Sequence, residues 1–360
     1  MNDFPRFQFH FEPQKGWMND PNGLIYFRDR YHVFYQHYPY ASQWGQMHWG
    51  HAVSDDLIHW EELPIALYPD MEYEDDGGCF SGSAIEQDGR LYLFYTSVSH
   101  EMGQTQSVAY SDDGLHFIKY SGNPVIRENP LDSPDFRDPK VTYIDGTYYM
   151  VVGSGDENSG KVLLFSSENL LRWHYVGILF QGAEYAHCIE CPDFFKLGDR
   201  YVLMFSKINE KERSTYFVVG DFVNGTLVNI SISRPEWGAD FYAPQTFTDG
   251  KRRIMIGWMY HWGKEAPAEC PFAGALSIPR ELKLVGDRVF NFPVKEAQHL
   301  LQRECPYIHR EGETLFLYDR ARNAVRRWIP GLKTVDILED TKSVEVFING
   351  GEMSFSWWLD

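Results

Sequence analysis

Cysteine is scarce in this 360-residue chain: the five are Cys79, Cys188, Cys191, Cys270 and Cys305. An odd, sparse set cannot make a full disulfide framework, and it predicts reduced thiols. The N-terminus, Met1-Asn-Asp-Phe-Pro-Arg-Phe-Gln-Phe-His, lacks the basic segment and apolar run of a secretory leader. Both features predict a cytoplasmic protein. Cys188 and Cys191 form a lone CxxC without a second pair, so buried thiols are expected there rather than zinc. No stretch approaches eighteen apolar residues, so no membrane partner is expected. Basic residues are outnumbered, with 33 Lys and Arg against 51 Asp and Glu and a net charge of −18. Such a surface repels phosphate backbones, which argues against nucleic acid as a partner.

Aromatic residues are plentiful, at 16% of the chain: 22 Tyr, 25 Phe and 11 Trp. They favour strands, and they offer flat faces on which sugar rings stack. A self-comparison finds one pattern five times: a polar head, an apolar strand, an Asp/Gly turn and a second apolar strand. The copies begin at Asp20, Ser81, Asp138, Glu190 and Ala243, and their second strands begin near Tyr31, Leu91, Tyr148, Tyr201 and Ile254. A strand–turn–strand unit recurring roughly every 55 residues, with no helical periodicity between copies, predicts a β-propeller of five blades. A second motif follows in three copies: Ser54-Asp-Asp-Leu-Ile-His-Trp60, Ser111-Asp-Asp-Gly-Leu-His-Phe117 and Ser166-Ser-Glu-Asn-Leu-Leu-Arg-Trp173. These are expected to be turns between outer strands, each closed by an aromatic. The expected fold class is all-β, with a propeller over 1–295 and a small C-terminal antiparallel sheet over 296–360. Five short strands are predicted there, from 313 to 358. A two-sheet sandwich usually takes about 100 residues, so these 65 or so predict a truncated sandwich reduced to a single sheet. Its open face must pack on the propeller or on another copy of the chain, which would make a homo-oligomer.

The inner strand of each blade lines the central channel, so the repeat heads converge at one mouth. Asp20, Asp138 and Glu190 then bring three carboxyls into one funnel. Like charges at close range cost free energy, so one acid is expected to hold a proton while another is kept ionised. Arg137 is the local cation. Cys188, Ile189, Cys191 and Pro192 predict an apolar, charge-disfavouring setting for Glu190, and the turn around Asp20-Pro-Asn-Gly predicts backbone donors for Asp20. Gln36, Trp44, Phe80, Trp258 and Trp262 lie near strand ends and could floor a sugar pocket. Retaining hydrolysis, inverting hydrolysis and metal-assisted chemistry all remain open at this point.

The motifs resemble a known family. Trp17-Met-Asn-Asp-Pro-Asn-Gly23, Trp44-Gly-Gln-Met-His-Trp-Gly-His-Ala-Val53, Phe80-Ser-Gly-Ser83, Arg137-Asp-Pro139, Glu190-Cys-Pro192 and Tyr242-Ala-Pro-Gln-Thr246 resemble, in order, the signatures of glycoside hydrolase family 32, the β-fructofuranosidases. The resemblance implies a retaining mechanism. Asp20 is then the nucleophile on C2 of a fructose unit, Glu190 the acid and later the base, and Asp138 the transition-state stabiliser. Arg137 would hold the carboxylates, and Asn19, Gln36, Trp44, Phe80, Ser81, Tyr242 and Trp258 would line the fructose pocket. Cys191 would tune Glu190. No metal or organic cofactor is implied. The substrate would be sucrose, sucrose 6-phosphate or a short fructo-oligosaccharide. An exo-fructanase, a fructosyltransferase and a non-catalytic fructan-binding propeller are the alternatives. A phosphorylated sugar would need cations at the rim, for which His48, His51, Lys207 and Arg213 are candidates.

Overall fold

The computed structural model describes residues 4–208, 213–238, 240–259 and 269–359; Trp262 lies outside the described residues. The chain is a five-bladed β-propeller followed by strands of a small sandwich. Each blade is an antiparallel sheet of four strands, consecutive in the first four blades, and the first blade gains a fifth strand from a segment lying between the second and third strands of the last. The inner strands are Gly16–Phe27, Gly78–Gln87, Phe136–Ile144, Ile189–Leu197 and Tyr242–Thr248. Each contacts the next, and the last contacts the first, so the ring is closed. Closure is reinforced by a short segment of the fifth repeat, Phe272–Ala273. It pairs parallel with the first inner strand through Gly16–Phe272 and Trp17–Ala273.

Local chemistry fixes the blades. The Ser-Asp motif forms a turn between third and fourth strands. Ser54 Oγ accepts the Leu57 N–H at 2.8 Å, while Asp56 Oδ1 accepts those of Ile58 and His59. The same pattern recurs at Ser111–Asp113 and at Ser167–Asn169. The residue under each serine takes positive φ: Leu57 at 68°, Gly114 at 77° and Leu170 at 65°. Side-chain oxygens that mimic a backbone turn are the reason Ser, Asp and Asn recur there. Apolar side chains of neighbouring blades interleave between the sheets, as where Phe94 of the second blade meets Val141 and Met150 of the third.

The C-terminal strands form two three-stranded sheets rather than the expected single one. Ile308–Glu311, Thr314–Tyr318 and Ala324–Trp328 make the first; Val335–Glu339, Ser343–Ile348 and Met353–Trp358 make the second. The strand Ile308–Glu311 escaped the sequence reading because its residues are mostly polar and exposed. Leu315 and Leu317 of one sheet share a core with Ile337, Val344 and Val346 of the other, so a few apolar pairs suffice to hold a miniature sandwich. The second sheet is covered by the propeller: Leu338 and Phe347 pack with Val33, Tyr35 and Ile256. Buried charges join the same surfaces. Arg280 of the fifth blade donates to Glu345 and Glu236, and His10 lies between Asp340 and Glu345 at 2.8 and 2.7 Å.

Candidate active site

Every inner strand carries the same irregularity at its channel end: two residues face one on the neighbouring strand. The pairs are Asn19-Asp20 opposite Gln36, Phe80-Ser81 opposite Thr96, Asp138-Pro139 opposite Val152, Cys191-Pro192 opposite Phe205, and Ala243-Pro244 opposite Gly257. Such a bulge breaks the ladder and re-aims side chains that would otherwise alternate across the sheet. Proline has no N–H to give the ladder, so its recurrence after Asp138, Cys191 and Ala243 fits a bulge. The residue before each of these prolines sits in the left-handed region, at φ of 65°, 47° and 48°. Backbone strain of this kind persists where surrounding contacts over-determine it.

Residues of the first three bulges, and Glu190 and Tyr242 directly before the last two, line one cavity of about 200 Å³. Asp20, Asp138 and Glu190 reach it from the first, third and fourth blades, with Asn19, Gln36, Phe80, Ser81, Arg137 and Tyr242 around them. Trp258 also lines the cavity and is fully buried, while Trp44 is 49% exposed. Cys191 is not on the cavity surface. It lies beneath, its single S–H within reach of Asp20 Oδ2 at 3.5 Å and of Asp138 Oδ2 at 3.6 Å. The sequence reading put Cys191 beside Glu190; the left-handed turn at Cys191 directs it to the other two acids instead. The second thiol of the CxxC, Cys188, donates to the Ile189 carbonyl, and all five cysteines are free.

Each acid has its own partners. Asp20 accepts from Ser81 Oγ at 2.5 Å and from Asn19 Nδ2 at 3.1 Å, and Asn19 is in turn fixed by Trp17 Nε1 at 2.7 Å. These donors are side chains, not the backbone N–H groups anticipated from the turn. Glu190 does not sit in the apolar setting expected of it. Arg137 donates to its Oε1 at 2.8 Å and the Tyr242 hydroxyl to its Oε2 at 2.5 Å. The second arm of Arg137 is taken by Asp135. Asp138 accepts the Cys191 N–H at 2.8 Å, and its own N–H goes to Thr96 Oγ1 at 2.9 Å. Trp17, Thr96 and Asp135 were not singled out from sequence. Trp17 belongs to a quoted motif, but nothing in sequence pairs Thr96 with Asp138.

Burial sets the electrostatics. It raises the pKa of Asp20, against the Ser81 and Asn19 hydrogen bonds, and Glu190 pushes it the same way. Burial also raises Asp138, to about 7; Arg137 opposes this, and the fields of Asp20 and Glu190 add to it. Burial opposes the charge on Arg137, but the surrounding acids hold the guanidinium protonated. Tyr242 is pushed well up by burial and by Glu190, so its hydroxyl stays a donor. Burial and the two neighbouring acids therefore favour a proton on Asp138 near neutrality.

A propeller that delivers three coupled carboxyls and aromatic walls to one cavity defines a protein of the glycoside-hydrolase kind. Residues 10–303 match the model of the glycosyl hydrolases family 32 N-terminal domain. The chain belongs to this family. It is 42% identical over 319 residues to a sucrose-6-phosphate hydrolase of Escherichia coli, covering 82% of this chain and 66% of the relative. It is 41% identical over 328 residues to that of Zymomonas mobilis, covering 82% and 63%. The chain thus spans a little under two thirds of the length of these relatives. Among solved structures, a family 32 β-fructofuranosidase mutant of Bombyx mori in complex with sucrose superposes with a TM-score of 0.86. Its identity is 30%, with 98% of this chain and 89% of that one covered.

Proposed function

We propose that the chain is a β-fructofuranosidase that releases fructose from the non-reducing end of sucrose, sucrose 6-phosphate or a short fructo-oligosaccharide, with retention of configuration. The observation that carries the reading is the placement of Asp20 and Glu190 on different blades of one cavity, each with its own hydrogen-bonding set. Asp20 attacks C2 of the fructose ring and the glycosidic bond breaks. Glu190, protonated at the expense of Asp138 once substrate fills the cavity, gives that proton to the departing oxygen, leaving a fructosyl ester on Asp20. Glu190 then takes a proton from water, which attacks C2 and frees Asp20. Ser81 and Asn19 favour the ionised form of Asp20 and so oppose the effect of its burial. Tyr242 and Arg137 fix the Glu190 carboxyl. Asp138, left ionised when its proton passes to Glu190, accepts from ring hydroxyls and faces the positive charge that develops on the sugar.

The catalytic unit is the propeller, residues 1–295, with 296–360 as a reduced sandwich module; the short helical turn Lys295–Leu300 after the last blade strand supports that division. Five free cysteines support a reducing, cytoplasmic setting. Among the described residues, no helix is long and apolar enough to cross a membrane. Fructose release from sucrose, sucrose 6-phosphate, inulin and levan tests the reading. Asp20→Asn and Glu190→Gln are expected to keep the fold and lose most activity, on the order of 10²-fold or more. Near wild-type turnover by either contradicts it.

A further inference from the structure

Among the described residues that line the cavity, Arg137 is the one cation; His48, His51, Lys207 and Arg213, named from sequence for a phosphate, do not line it. Arg137 and Asp138 are consecutive. One short stretch of backbone therefore carries both the cation that donates to Glu190 and one of the three acids. Asp138 sits at φ of 65°, a conformation that persists only where its surroundings impose it. The bulge also leaves its N–H outside the ladder of the third blade: Lys140 pairs with Val151 and Arg137 with Gly153. The groups that take over come from the blade before.

In the second blade, the strands Arg90–Ser99 and Gly103–Ser111 pair Thr96 with Gln106 and Val98 with Gln104. Thr96, Gln104 and Gln106 thus share one face of the sheet. Deeper on that blade, Phe94 and Val108 share a core with Phe136 of the third. At the channel end the contact is polar instead. Gln104 Oε1 accepts the Phe136 N–H at 2.7 Å, and Gln106 Nε2 donates to the Phe136 carbonyl at 2.7 Å. Thr96 Oγ1 accepts the Asp138 N–H at 2.9 Å and donates to Gln106 Oε1 at 2.8 Å. Every proton in this chain has one place to go. The Gln106 NH₂ is committed to a carbonyl, so its oxygen receives the Thr96 hydroxyl, whose lone pairs are left for Asp138. Thr96 and Gln106 are fully buried, so a lost partner is not replaced by bulk water. In the other four blades, Gln36, Val152, Phe205 and Gly257 stand where Thr96 does, opposite the bulge. Gln36 reaches the next blade in the same way, donating to the Cys79 carbonyl, and the remaining three have no side-chain polar group to offer.

We propose that Thr96, Gln106 and Gln104 form a clamp that positions the Arg137-Asp138 backbone, and are positioning residues of the reaction although none of them lines the cavity. This rests on the β-fructofuranosidase reading and deepens it by assigning the placement of Asp138 to a neighbouring blade. Asp138 must meet the sugar hydroxyls as positive charge develops, and Arg137 must stay on Glu190. A displacement of either by a fraction of its hydrogen-bond length weakens contacts that matter most in the transition state. The loss therefore falls on kcat more than on KM.

The test measures kcat and KM for sucrose, and hydrogen exchange of the Asp138 amide by NMR, in wild type, Thr96→Val, Thr96→Ser, Gln106→Leu and Ser97→Ala. Thr96→Val keeps the shape and removes the acceptor. It should lower kcat by about 10- to 100-fold, change KM far less, and speed exchange of the Asp138 amide. Thr96→Ser keeps the hydroxyl and should stay near wild type in all three. Gln106→Leu leaves the Thr96–Asp138 contact in place but unsupported; it should shift kcat and exchange in the same direction, and it carries the test should Thr96→Val not fold. Ser97 is the control. It lies one residue on, where its hydroxyl meets those of Thr105 and Ser107, so Ser97→Ala should lose stability and keep kcat. Wild-type kcat in Thr96→Val, an unchanged Asp138 amide, or a kcat loss shared equally by Ser97→Ala overturns the proposal. A wild type that cleaves no sugar, yet whose Asp138 amide loses protection in Thr96→Val, overturns the hydrolase reading and leaves the clamp standing.

Discussion

The backbone N–H of Cys191 donates to Asp138 Oδ2 at 2.8 Å, joining the bulge of the fourth blade to that of the third. Both residues are held at positive φ, 47° and 65°. The same turn aims the Cys191 thiol at Asp20 as well as Asp138. A thiol is a weak donor, and removing it disfavours the ionised form of the acids it touches. Cys191→Ala is expected to keep the backbone link and lower kcat/KM less than about tenfold. The acid limb of its pH profile should move to higher pH. A limb that stays in place would show that the contact has no bearing on Asp20.

Ser81 supplies the shortest hydrogen bond to Asp20, at 2.5 Å. A hydrogen bond to a charged group is worth roughly 1.5–3 kcal/mol. Ser81→Ala should therefore cost about 10- to 100-fold in kcat/KM and shift the acid limb upward further than Cys191→Ala does. Steady-state rates across pH measure both effects, and circular dichroism checks that the fold is kept.

Asp138 gives a stability signature of unusual sign. Its folded-state pKa is raised to about 7 by burial and by Asp20 and Glu190. The folded protein therefore takes up a proton near pH 7 that the unfolded chain takes up only near 4. Its ionised form opposes folding above pH 7, and that opposition fades as pH falls from 7 toward 4. Asp138→Asn should be more stable than wild type at pH 8, by an amount on the order of a few kcal/mol, with the gap closing below about pH 4. Urea unfolding at both pH values measures it. The same variant should lose most activity, an exchange of stability for function.

The His10 network behaves in the ordinary sense. Its hydrogen bonds to Asp340 and Glu345 overcome burial and raise His10 to about 9, while Glu345 is lowered to about 2, burial being outweighed by Arg280 and His10. The His10 contribution is fully present below about pH 6.5 and is lost as pH rises through 9. The carboxylate contribution is present above about 4.5 and is lost as pH falls toward 2. Wild type should lose thermal stability between pH 6.5 and 9.5. His10→Ala should lack most of that slope and be destabilised at pH 6 by about 3–5 kcal/mol, since two buried carboxylates lose a partner.

The propeller was legible because its repeat is written in local chemistry. Apolar strands, Asp-Gly turns and the Ser-Asp turns at 54, 111 and 167 recur at even spacing. The three acids were legible as repeat heads for the same reason. What stayed hidden depends on side-chain direction. A register of one residue decides that Thr96 faces Asp138 and Ser97 does not. A left-handed backbone decides that Cys191 serves Asp20 and Asp138. The Xaa-Pro pairs at three heads were a visible sign of bulges that the motif reading passed over. His10 and Asp340 are 330 residues apart, and no local pattern announces such a pair. The second C-terminal sheet was missed because short strands with only two or three inward residues carry little periodicity.

The central claim is that Asp20 forms a covalent bond to C2 of fructose and that Glu190 serves both halves of the reaction. The most direct measurement is the configuration of the product when wild type cleaves sucrose in the presence of methanol, read by NMR before the sugar is separated. Two displacements at C2 predict methyl β-D-fructofuranoside as the transfer product. Methyl α-D-fructofuranoside would mean a single displacement by the acceptor, and Asp20 would then not be the nucleophile.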